Sequence, residues 1–138
     1  MASIEPTPEQ LSRLLGEPDE GAIVMINLLR FRERAEYRAG SEAEPCGGRE
    51  AYQRYGMHVL PLLAGVGGRI LWSGSAQMVV IGPDGEGWDE AVLVEYPTRA
   101  AFLSMVTSEA YEKIREHRSA ALEDSRLIMT RTDANMLL

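Results

Sequence analysis

The chain has 138 residues, with 14 Lys plus Arg against 21 Asp plus Glu, a formal net charge of −7. At 45% hydrophobic and 25% charged it has the balance of one ordinary globular domain, able to bury roughly two-thirds of its unfolded surface. The acidic charge opposes a polyphosphate partner and no basic run offsets it, so nucleic-acid binding is not expected; no apolar run is long enough to span a membrane.

A single cysteine, Cys46, permits no internal disulfide, and the N-terminus has neither the basic nor the apolar segment of a secretory leader; both point to the cytoplasm. Residues 8–16 predict a short helix, with Thr7 as N-cap, Pro8 in its first turn and Gly16 as its stop. It belongs to an N-terminal extension over residues 1–20, ahead of a domain over 21–132 and a tail over 133–138. Residues 22–29 are continuously apolar and β-branched, the pattern of a strand covered on both faces, and Asn27 is the one polar residue in it. Residues 32–48 are polar and rich in glycine, a long surface loop of the kind that often carries a site.

From residue 49 to 66 the period becomes helical, with Tyr52, Tyr55, Val59, Leu62, Leu63 and Val66 on one arc. Pro61 cannot donate to the carbonyl of Met57, which predicts a kink or break near residues 57–61, and Gly67-Gly68 ends the helix. Residues 68–74 and 76–82 read as an antiparallel hairpin, and residues 88–96 as a further strand closed by Pro97. A second helical region runs from residue 99 to about 122, capped by Thr98 and re-capped near Ser108, with Tyr111, Ile114, Arg118, Ala121 and Leu122 sharing an arc. Residues 125–132 form the last strand.

Strand, helix, strand, strand, helix, strand, with one extra hairpin strand, is the order of a ferredoxin-like α+β sandwich, an antiparallel sheet with its helices on one face. The strands are nevertheless apolar at consecutive positions, on both faces. With no third layer in so short a chain, the second face predicts a homodimer, two sheets pairing as a dimeric α/β barrel.

Three stretches carry a family resemblance: Tyr52-Gln-Arg-Tyr55 through Val59-Leu-Pro61 to Gly67-Gly-Arg-Ile-Leu71; Val94-Glu-Tyr-Pro97; and Ser108-Glu-Ala-Tyr111 through Arg118 to Asp124-Ser-Arg-Leu127. They resemble the family catalogued as domain of unknown function 1330, of the dimeric α/β-barrel superfamily. The resemblance implies two ferredoxin-like sheets packed face to face. Relatives in the superfamily include cofactor-free monooxygenases, lactone isomerases and haem-degrading enzymes, so it also implies a small-molecule pocket between sheet and helices.

The candidate site residues follow from burial chemistry. Arg118, a permanent charge in an apolar stripe, needs either an internal partner, for which Glu95 is the candidate, or the carboxylate or enolate of a ligand. His58, at the edge of the first helical stripe and beside the Pro61 defect, is the candidate acid or base, whereas His117 falls off its stripe and is expected to face solvent. Asn27, Arg30, Tyr55 and Trp72 are the candidate substrate-binding groups, polar-tipped residues placed to line or guard a sheet–helix cavity. No pair of potential ligands has metal-binding spacing, and Cys46 has no histidine close in sequence, so neither metal nor cofactor is expected.

Two functions remain open at this point: a small enzyme, monooxygenase- or isomerase-like, acting on a small apolar or carboxylated metabolite; and a non-catalytic homodimeric scaffold for a ligand or partner. Convergent polar groups with a perturbed acid or base would favour the enzyme, and internal pairing of Asn27 and Arg118 the scaffold.

Overall fold

The computed structural model describes residues 2–18 and 21–133; of the predicted tail, residues 134–138 lie outside the described residues. Helix α1 (Pro8–Gly16) is followed by β1 (Ile23–Phe31), α2 (Gly48–Gly65), β2 (Arg69–Ser75), β3 (Glu90–Tyr96), α3 (Arg99–Val106), α4 (Glu109–Ala121) and β4 (Leu122–Thr130). The strands form one antiparallel sheet in the order β2-β3-β1-β4.

The helices start where short hydroxyl side chains can satisfy their free amides. Thr7 and Gln10 make a reciprocal capping box at α1, Thr98 accepts from the amide of Ala101, and Ser108 from that of Tyr111. Ser108 therefore divides the second helical region in two. Helix α2 ends as Gly67 turns to φ +80°, and the Gly68 amide donates to the carbonyl of Leu63. The break expected at Pro61 does not occur, because α2 runs through that residue to Gly65.

Alternate residues of the central strand β1 enter the core: Ile23, Met25, Leu29 and Phe31 are buried beneath the helices. One cluster joins Ile23 and Met25 to Tyr55, Leu63, Tyr96, Phe102 and Tyr111; a second joins Leu29 and Phe31 to Cys46, Ala51, Val92, Ala121 and Leu122. Cys46 thus lies in the core, although its neighbours in sequence are polar. The loop before α2 folds back on the domain, with the Ala35 amide on the Cys46 carbonyl and the Glu36 amide on the Ala120 carbonyl.

The other sheet face carries no helix among the described residues. Across it, the register sets Trp72, Leu93, Ile26 and Ile128 in one row, with Val24, Leu28 and Ala91 in the rows beside it. Trp72 is 54% exposed and Ile128 49%. The sheet is thus apolar on both faces, as the sequence indicated, and the described residues cover one of them.

The hairpin is corrected in one respect. β2 pairs directly with β3, so residues 76–82 would have to extend the sheet as a fresh edge strand, and they do not. Instead the Ala76 amide bonds the Asp89 carbonyl at 2.9 Å, which closes residues 76–89 into a protruding loop.

Candidate functional site

Between sheet and helices, three tyrosines and an arginine gather over β1. α2 brings down Tyr52 and Tyr55, three residues apart on one face, and α4 brings Tyr111 and Arg118, seven apart on its own inner face. The Tyr55 and Tyr111 hydroxyls are 3.0 Å apart and buried. The rings step across the layer, Phe31 to Tyr52 and Tyr52 to Tyr55 each at 5.3 Å, then Tyr55 to Tyr111 edge-on at 6.1 Å. Tyr96 packs edge-on against Phe102 at the same core.

Burial pushes the Tyr52 phenol up to about 12 against the opposing pull of Arg118, and raises Tyr55 well beyond its ordinary value. Tyr96 is raised by the same cause. At neutral pH these groups are therefore uncharged phenols, able to donate and accept hydrogen bonds but not to act as bases. Asn27 points to this side of the sheet in register with Val92 and Leu127, and its amide nitrogen lies 3.4 Å from the carbonyls of Met25 and Val92.

Arg118 does not pair with Glu95. Glu95 stands opposite Val24, on the helix-free face, where Arg69 meets it at 3.0 Å. Arg118 instead donates through Nη1 to the carbonyl of Ile4 at 2.7 Å. The N-terminal segment is held at this end by further bonds: the Ser3 amide to Asp124 at 2.9 Å, the Ser125 hydroxyl to the Ser3 carbonyl, and the Ser119 hydroxyl to Glu5 at 3.2 Å.

Burial alone would raise the Asp124 carboxyl, but the amides of Ser3 and Ser125 and the guanidinium of Arg126 together hold it below its usual value. A carboxyl depressed on folding contributes stability above its unfolded pKa, about 3.9, and that contribution is lost as pH falls through the lower folded value. Asp124→Asn is expected to lower the urea midpoint at pH 7 and to narrow its gap from the wild type below about pH 4. A gap constant from pH 7 to pH 2.5 would show that the carboxylate is not what holds the segment.

The remaining predicted residues lie elsewhere. Arg30 is on the helix-free side, where it donates to the Gly87 carbonyl at 3.2 Å, approaches Asp124 at 3.5 Å and shares the face of Trp88 with Arg126. It therefore does not guard the layer that holds Asn27. Trp72 also lies on that side, turned there by a bulge between Ile70 and Trp72.

His58 is exposed on the outside of α2, where its ring stacks on His117 at 5.9 Å. His117 is half-buried rather than solvent-facing: the Tyr37 hydroxyl lies 2.7 Å from its Nδ1, and Arg54 donates to that hydroxyl at 3.3 Å. With Arg54 donating to the phenol oxygen, the Tyr37 proton is free to point at Nδ1. Burial, with repulsion from His58 and Arg54, outweighs the pull of Glu116 and lowers the His117 pKa. A surface concavity of about 470 Å³ adjoins this pair, lined by Arg38, Ser41, Lys113, Glu116 and His117 among others. The candidate acid and the candidate anion clamp thus belong to different places, His58 outside the helices and Arg118 beneath them. Among the described residues, no three of His, Cys, Asp and Glu gather as a metal site would require, and no helix is long and apolar enough to cross a membrane.

A four-stranded antiparallel sheet in this order, with its helices on one face, defines a ferredoxin-like α+β protein. Residues 46–132 match the family model described as Domain of unknown function (DUF1330), and the chain belongs to that family. Among solved structures it is similar to RPA0582, a protein of unknown function from Rhodopseudomonas palustris, at 38% identity and TM-score 0.87 over 96% of this chain and 98% of the other. A methylated form of RPA0582 matches at 38% identity and TM-score 0.91, over 99% and 98%. A dimeric ferredoxin-like protein of unknown function from Bacteroides fragilis matches at 14% identity and TM-score 0.50, over 83% and 100%, a likeness of fold. No curated protein matches the chain.

Proposed function

We propose that the protein is a homodimer that binds a small carboxylate-bearing, largely apolar molecule between its sheet and helices, and that it does so as a binding protein rather than as an acid–base catalyst. The observation that carries the reading is the placement of Arg118 beside phenols that stay neutral, Tyr52 and Tyr55. A guanidinium with neutral hydroxyls is a receptor for an anion in apolar surroundings. The Arg118 donor is met by a backbone carbonyl of the N-terminal segment, a contact that a ligand carboxylate can replace with a stronger, charge-assisted one. Catalysis by His58 finds no support in this layer, since that ring lies on the outer surface with His117.

The dimer is supported by the uncovered apolar sheet face and by the dimeric state given for the similar protein from Bacteroides fragilis. A reducing, cytoplasmic setting agrees with the free thiol of Cys46 in the core.

A panel of aromatic and short aliphatic monocarboxylates, scanned by thermal shift, tests the reading. A true ligand at a hundredfold excess over its Kd adds about 2.7 kcal/mol of stability, and Arg118→Met is expected to abolish the shift while remaining folded. Failure of the whole panel, or an undiminished shift in Arg118→Met, would overturn it.

A further inference from the structure

The loop between β2 and β3 presents an anomaly of its own. Met78 is 75% exposed, Val80 81% and Ile81 95%. No charged residue occurs from 76 to 83; the acidic Asp84 and Glu86 follow only on the returning limb of the loop, so its outgoing limb is an uninterrupted strand-like apolar segment. Within its own chain, Val79 packs toward Gly82 and the Ala76–Asp89 bond pins the base, while Met78, Val80 and Ile81 stay exposed among the described residues.

We infer that this loop is an arm that lies against a second copy of the chain, extending the pairing of sheet faces proposed above, on which the inference rests. Two observations favour a second copy as the occupant. The arm leaves the end of β2, the edge strand that sets the exposed Trp72 on the helix-free face, so the arm and that face adjoin along the chain. Together with Ile128 on the far strand, the uncovered apolar side chains amount to an area on the order of the ~800 Å² per partner that a stable interface buries. A surface of that kind repeated on every copy is satisfied once by two-fold pairing, which leaves no arm free for further growth.

Sedimentation velocity on the full chain tests this with Val80→Asp and Ile81→Asp, whose side chains are exposed in the single chain and so leave its fold intact. Ile26→Asp, in the centre of the sheet face, serves as the reference. The wild type is expected to sediment as a dimer, Ile26→Asp as a monomer, and each arm variant to raise the dimer Kd at least tenfold. Hydrogen exchange at residues 78–81 is expected to be slow in the dimer and fast in the Ile26→Asp monomer. A dimer of unchanged affinity with a rapidly exchanging arm overturns the inference, leaves the sheet pairing standing and frees the arm for another protein or a membrane. A monomeric wild type overturns both.

Discussion

Gly48→Ala is expected to lower stability by at least about 3 kcal/mol, and the thermal midpoint by roughly 10 °C. On helix propensity alone the change should help, since alanine is favoured over glycine within a helix by roughly 0.5–1 kcal/mol. Here the new methyl would sit 2.1 Å from the Arg32 carbonyl oxygen and 2.8 Å from both the Ala121 carbonyl oxygen and the Arg32 nitrogen. All three are backbone atoms, and they belong to the crossing point where β1 leaves the sheet, α2 begins and α4 ends. The Gly48 amide itself donates to Arg32 at 3.1 Å, so relief by moving α2 outward would also break that bond. Gly56→Ala is the matched control: it lies in the same helix with nothing within 4 Å of the added carbon, and should stabilise by roughly 0.4–1 kcal/mol. Urea unfolding of the pair checks both signs, and a neutral Gly48→Ala would mean that the crossing is looser than described.

Leu29→Ala is expected to cost about 3–4 kcal/mol. Leu29 has no exposed surface, stands between Glu90 and Ser125 on the central strand, and belongs to the cluster of Phe31, Cys46, Ala51, Val92 and Leu122. With paired strands on both sides, the backbone has little freedom to close the cavity. Leu60→Ala, at a position 46% exposed on α2, should change the urea midpoint far less. A loss below about 1 kcal/mol for Leu29→Ala would contradict the packing of the second cluster.

The elements legible in the sequence are those fixed by local chemistry. Thr7, Thr98 and Ser108 cap helices because their hydroxyls reach amides three residues on, and the two-faced apolar pattern of 22–29 is the pattern of a central strand. The candidate site was legible in part: the stripes that named Tyr52, Tyr55, Tyr111 and Arg118 do bring them together, because each stripe is the face its helix lays on the sheet.

The misplacements come from facts that periodicity does not carry. A bulge between Ile70 and Trp72 inverts the alternation, so Trp72 stands on the face opposite to the one simple counting gives. Glu95 and Arg118 fail to meet because the sheet separates them, a matter of register with Val24. Residues 76–82 have strand composition whether or not a neighbour accepts their hydrogen bonds. Tyr37 lies in an aperiodic loop, and its bond to His117 crosses 80 positions of sequence.

The order β2-β3-β1-β4 also has a consequence for synthesis. β1 is the first strand to leave the ribosome, yet one of its two neighbours is the last, and Val24 pairs with Thr130. Until β4 has emerged, the nascent chain exposes an apolar, half-paired central strand. The sheet can then be completed only once β4 has emerged, so this long-range pairing is the slow step of assembly.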